Sequence, residues 1–264
     1  VSQTLRKYAG IYRGFINTCF AEATSFRLHF VLLIFMDLFF YLSTLATVDF
    51  IFNYVPRIGP WNREQFLFFM SFMLAIDQLH MTFISEGFWS FSFELRTGNL
   101  DFHLLRPAGT IFAVFFRHIR PGSLVLIVVP WAFMIWYGLE IGLAPLSWVL
   151  LPGLLLAALT LLVSFEIFLT MFMFWTIEVY GINFLRIQFQ QLSRWPDFAY
   201  KPWPRRFFTF LLPVLLIGTP PTSILMDTGP WYKLAYMGVA TLVLWGLIRW
   251  LWQTGLRSYE SASS

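Results

Sequence analysis

Apolar residues come in long uninterrupted blocks, and polar ones crowd into the short gaps between them. A helix crossing a bilayer needs about 20 mostly apolar residues. Six blocks reach or approach that length: Leu28–Phe50, Phe66–Ile84, Gly122–Leu139, Leu146–Ile177, Phe207–Leu225 and Trp231–Trp252. The fourth exceeds one crossing, which predicts tilt or extension beyond the membrane. The fifth is punctuated by Pro213, Gly218, Pro220 and Pro221 in "LLPVLLIGTPPTSIL". That pattern predicts a broken or re-entrant segment whose freed backbone groups are satisfied by neighbouring protein. The blocks lack the period-two alternation of a closed barrel. Ahead of them Tyr8, Tyr12, Phe15, Cys19 and Phe20 recur at three-to-four spacing. Residues 1–25 therefore read as an amphipathic helix on the membrane surface. Charges spread through that stretch, unlike the basic start and short apolar core of a cleaved leader.

Composition strengthens the membrane reading. The chain has 264 residues, 58% hydrophobic and 12% charged, where soluble domains carry about 25% charged residues. Twelve Trp and thirty-two Phe suit lipid-facing helices with aromatic belts. One cysteine, Cys19, excludes an intramolecular disulfide and a cysteine-clustered metal site. The net charge of +4 bears on topology and gives no sign of a nucleic-acid partner. With these blocks as spans, every Lys and Arg falls on one side except Arg57, Arg63 and Lys233. The positive-inside rule then makes both termini cytoplasmic. The expected architecture is an all-α integral membrane protein of one domain, residues 1–264.

One interruption stands out. Between the second and third blocks runs "FELRTGNLDFHLLRPAG", residues 93–109. Phe88, Phe91, Leu95 and Phe102 predict the apolar face of a short helix pair in the headgroup layer. Glu94, Arg96, Asp101 and Arg106 would then face the cytosol, Gly98 would make the turn, and Pro107 would stop the second helix. Such a pair between two spans serves either as a lever on them or as a simple interfacial anchor, and the residues alone leave both open.

The spacing Glu94–x3–Gly98–x–Leu100–x3–Leu104–Leu105–x–Pro107 resembles the coupling-helix signature of ABC type-2 permeases, the membrane subunits of ATP-driven exporters. The stretch "QLSRWPDFAYKPWPRRFFTFLLPVLLIGTPP" and the ending "GLRSYESASS" are similar to a branch of the same family. The resemblance covers essentially the whole chain. It implies an ABC type-2 exporter fold with six spans, an N-terminal interfacial helix, and a coupling helix within 88–107. It also implies a second permease subunit, identical or homologous, two ATPase subunits, and a place in a bacterial inner membrane. Glu94, Arg96, Gly98, Leu100, Asp101, Leu104, Leu105 and Pro107 become the candidate ATPase-coupling residues. ATP and Mg are expected on the partner. A P-loop needs Gly-Lys-Ser/Thr, and none of Lys7, Lys201 and Lys233 follows a glycine.

Ionisable groups inside spans are unfavourable by roughly 2.5–3.5 kcal/mol at the centre on insertion scales, so each demands a partner or a task. Asp37, Asp77, His80 and Glu166 are candidates for a translocation path, with Asp77 and His80 one turn apart on a shared helix face. Their structural alternative is pairing across helices, for instance with Arg117 or Arg120. Pro213, Pro220 and Pro221 are candidates for an outer gate. The stretch Ile182–Trp195, with apolar residues at three-to-four spacing, reads as an interfacial helix or an extension of the fourth span. Neither HExxH nor Gly-x-Ser-x-Gly occurs, which disfavours a membrane-embedded lipid-modifying enzyme. An ion-coupled carrier is the other alternative, and the substrate is not legible.

Overall fold

The computed structural model describes residues 2–25, 27–105, 109–176 and 179–259. Arg106, Pro107, Ile177, Glu178 and the side chain of Tyr8 lie outside the described residues. Besides a short 3-10 turn at Asp197–Ala199, twelve helical segments are described. They are α1 (Ser2–Ser25), α2 (Arg27–Phe52), α3 (Arg63–Phe83), α4 (Ser85–Thr97), α5 (Leu100–Leu104) and α6 (Thr110–Phe115). There follow α7 (Pro121–Glu140), α8 (Pro145–Phe174), α9 (Val179–Ser193), α10 (Pro202–Leu211), α11 (Pro213–Leu225) and α12 (Tyr232–Ser258). No strand occurs among the described residues.

Local chemistry sets the starts of several helices. Asn62 caps α3 reciprocally: its side chain accepts from the Gln65 amide, and its own amide donates to the Gln65 side chain. Pro121, Pro145, Pro202 and Pro213 open α7, α8, α10 and α11. At that position the missing N–H has no helical partner to lose.

Helix α3 is the central post. Every residue from Phe66 to Gln78 is buried, so α3 is wrapped by protein and its polar residues must find partners there. By contrast α2 leaves Leu32, Phe35, Met36 and Phe39 exposed, as a lipid-facing helix does. The five helices α2, α3, α7, α8 and α12 are long and apolar enough to cross a membrane.

Contacts at the two ends give the topology. One end, here the near end, carries α4 and both described chain termini. There Cys19 of α1 accepts from the Ile119 amide at 3.4 Å, and Trp252 of α12 packs 6.3 Å from Phe91 of α4. The far end carries the 53–62 loop between α2 and α3.

Helix α9 corrects the sequence reading of Ile182–Trp195. It runs antiparallel to α8, with Arg186 on Glu166 and Phe189 5.3 Å from Phe165. It arrives at the far end, where Trp195 lies 6.1 Å from Phe66 and Phe198 stands edge-on to Trp61 at 4.8 Å. This polar helix therefore traverses the bundle, and its neighbour α3 shelters the side chains that hid it from a hydropathy reading.

The fifth apolar block is the re-entrant element its prolines predict. Helices α10 and α11 meet at 81°. The hairpin begins and ends at the far end, because Asp197 before it and Lys233 after it form an ion pair at 3.4 Å. It bends at Leu212, and beyond the bend Gly218 sits against Met73 and Phe69 of α3 while Thr219 accepts from the Asp197 amide at 2.8 Å. Lys201, Arg205 and Arg206 consequently lie at the far end with Lys233, which corrects the expected one-sided charge distribution.

Candidate functional site

Two clusters of polar side chains dominate the interior: an elbow at the near end and a charged seam through the middle of the bundle. The elbow is α4 and α5, set between α3 and α7. Helix α4 ends on Gly98 in the left-handed region, φ +72°, a conformation that only glycine adopts without strain. The elbow is pinned by aromatics: Phe88 and Phe91 of α4 lie 5.1 and 5.3 Å from Phe115 of α6. Full burial of a Phe is worth roughly 1.5–3 kcal/mol, so this face is firmly held. Gly87 permits the approach, since a Cβ there would collide with the Phe115 backbone.

Glu94 is buried rather than facing outward, which corrects the expected orientation. Its Oε1 accepts from Arg117 at 3.0 Å, and its Oε2 lies 3.1 Å from His103 Nε2, which is itself 3.2 Å from Arg117. One carboxylate thereby ties α4 to α5 and to the segment leading into α7. Arg117 also donates to His118 at 2.8 Å. Burial and the neighbouring Arg117 and His103 lower the His118 pKa to about 4, so it stays neutral near pH 7 and can accept that bond. Phe102 is exposed, not on the apolar face assigned to it, because the turn at Gly98 rotates α5 relative to α4. Leu100 is buried, Asp101 is half-buried, and Arg96, Leu104 and Leu105 are on the surface. The elbow thus presents Arg96, Phe102, Leu104 and Leu105 outward over a rigid base.

The seam contains all four intramembrane candidates, each with a partner on another helix. Asp37 accepts from Ser123 of α7 at 3.0 Å. Asp77 accepts from Gln190 at 3.0 Å and meets Arg194 at 2.7 Å. His80 meets Glu166 at 2.5 Å, and Glu166 takes Arg186 at 3.2 Å on its other oxygen. Asp77 and His80 therefore do not pair with each other, and the partners are not Arg117 or Arg120. Arg186 is 2% exposed and lies over the Phe88 ring at 4.4 Å, a contact that compensates part of its desolvation. This links seam to elbow. Arg186, Gln190 and Arg194 recur every fourth residue, a polar stripe on α9 that the sequence displays plainly. Apolar residues between them raise the local hydropathy and mask the stripe.

A cleft of about 320 Å³ opens on the seam, lined by Asp37, Tyr41, Asp77, Arg186, Gln190 and Arg194 among others. His80 and Glu166 do not line it. Pro213, Pro220 and Pro221 are buried in the re-entrant hairpin.

Residues 31–263 match the family described as ABC-2 family transporter protein, and the chain belongs to that family. It is a membrane component of an ABC transporter, a permease subunit of a kind that works with ABC ATPase partners. No match is found among curated proteins or among solved structures.

Proposed function

We propose that this permease forms the path of an ATP-driven exporter in a bacterial cytoplasmic membrane, as one of two paired subunits. Two separate ATPase subunits, carrying ATP and Mg, dock on α4 and α5, which places both termini of this chain in the cytosol. Helix α9 is then the fifth crossing, and the far end faces outward. The observation that carries this reading is the clamp of Glu94 on Arg117 and His103. A push on Arg96, Phe102, Leu104 or Leu105 cannot be absorbed by bending at Gly98, because one buried carboxylate fixes both helices to the base of α7. The displacement passes to α3, α7 and, through Phe91 and Trp252, to α12.

The cleft bordered by Asp37 and Asp77 is the proposed translocation path. His80 and Glu166 brace it from behind, and Pro213, Pro220 and Pro221 stiffen the hairpin as an outer gate. Glu94→Gln and Gly98→Val should leave insertion and assembly intact while lowering substrate-stimulated ATPase activity of the purified complex. Normal coupling in both assembled variants sinks the lever. Purification without any ATPase, with transport following a proton gradient, would replace this reading by an ion-coupled carrier.

A further inference from the structure

Two adjoining hollows lie between the re-entrant hairpin and α12, and their chemistries are opposite. The upper one, about 320 Å³, is bordered by Asp197, Arg205, Arg206 and Lys233 at the far end. The lower one, about 380 Å³, is lined by apolar groups such as Phe168, Leu216, Val243 and Leu247. Thr209, Phe210, Leu216 and Tyr236 border both, so the two are one continuous groove.

Charge in the upper hollow is unbalanced. Arg205 donates through Nε and Nη2 to Asp197 Oδ2, at 3.1 and 2.7 Å, and Lys233 reaches the same oxygen at 3.4 Å. Arg206 makes no ion pair with the described residues and is exposed. Three cations against one carboxylate leave two positive charges at the mouth, and the start of α12 adds partial charge of the same sign.

The lower hollow has the dimensions of one leaflet. From Tyr236 to Leu247 the groove follows α12 for eleven residues, roughly 16 Å at 1.5 Å per residue. Half of a bilayer hydrocarbon core is about 15 Å. Tyr236, 5.7 Å from Phe210 and 5.9 Å from Tyr232, stands where the cationic mouth gives way to the apolar cleft. That is the level where amphipathic aromatics settle in membranes.

We propose that this groove is a binding site for a phospholipid with an anionic headgroup, its phosphate at Arg206 and Lys233 and one acyl chain along α12 beneath Tyr236. The chemistry of the site stands on the groove itself. Its placement in the outer leaflet rests on the orientation proposed above.

The test uses the full chain with its co-purified partners, in nanodiscs without nucleotide, so that labelling does not depend on transport. Photoactivatable phosphatidylglycerol should label the hairpin and α12 in preference to photoactivatable phosphatidylcholine. Arg206→Gln and Lys233→Gln should each reduce that preference, by roughly fivefold per charge removed. Ala240→Phe, which fills the cleft and leaves the mouth intact, should abolish acyl-chain labelling of α12. Equal labelling by both lipids, or labelling untouched by any of the three variants, overturns the proposal. So does disulfide cross-linking between two copies through Val239→Cys in a Cys19→Ser background, since that would make the groove a subunit interface. An impermeant maleimide applied outside intact cells to Arg206→Cys reads the orientation separately. Protection there with lipid labelling preserved would move the site to the other leaflet.

Discussion

At the residue scale, what decides the interior is how each buried charge is answered. Glu166 has two oxygens and two partners, His80 and Arg186, and all three are shielded by α3, α8 and α9. Taking one partner away from a buried pair leaves an uncompensated charge, at about 3–5 kcal/mol, whereas replacing the whole set by apolar groups is often neutral. Arg186→Met should therefore destabilise the protein by that order. The triple replacement with Glu166→Leu and His80→Phe should recover most of the loss in thermal unfolding in detergent. Transport by a well-folded triple variant would settle these three residues as a brace. Packing at Gly87 makes a second point. A methyl group there meets backbone rather than a flexible side chain, so α4 must move away from α6. Gly87→Ala should destabilise the fold by about 1–3 kcal/mol of overpacking strain, read as a lower melting temperature.

At the element scale the elbow combines a turn that glycine makes easy with a clamp that makes it stiff. The expected short helix pair, with its turn at Gly98, does lie between α3 and α7. Which side of it faces outward was not legible, because helical periodicity around Glu94 cannot anticipate a guanidinium arriving from residue 117. The clamp also carries a pH signature. His118 is held neutral in the fold with a pKa of about 4, against about 6.5 when unfolded. The unfolded chain therefore binds the extra proton between those values, and stability rises with pH across that window. Melting temperature should fall as pH drops from about 6.5 toward about 4, in a setting that also contains Glu94, His103 and Arg117. In His118→Gln the decline should be shallower, and an identical pH profile for both proteins would refute the assignment.

At the scale of the whole molecule, the proposed crossing by α9 rearranges which loops share a side. If Ile182–Trp195 stayed at one surface, probes at both ends of it would react from that surface. With α9 traversing the bundle, Tyr180→Cys and Trp203→Cys, both at exposed positions, should be labelled from opposite sides of the membrane. Labelling from one side alone would restore the simpler topology. Apolar runs, Pro and Gly punctuation, and the pattern around Gly98 determined by themselves that this is a helical membrane protein with a broken fifth segment and a short helix pair between its second and third spans. Those features are local, since twenty apolar residues or a proline pair constrain the backbone wherever they fold. The tertiary structure alone decided that α9 runs back through the bundle, that Glu94 turns inward, and that Asp37, Asp77, His80 and Glu166 find partners on other helices. Each depends on a partner distant in sequence: a charge can sit in the apolar interior when another helix delivers its counter-charge, and hydropathy assigns every residue a value without its neighbours in space.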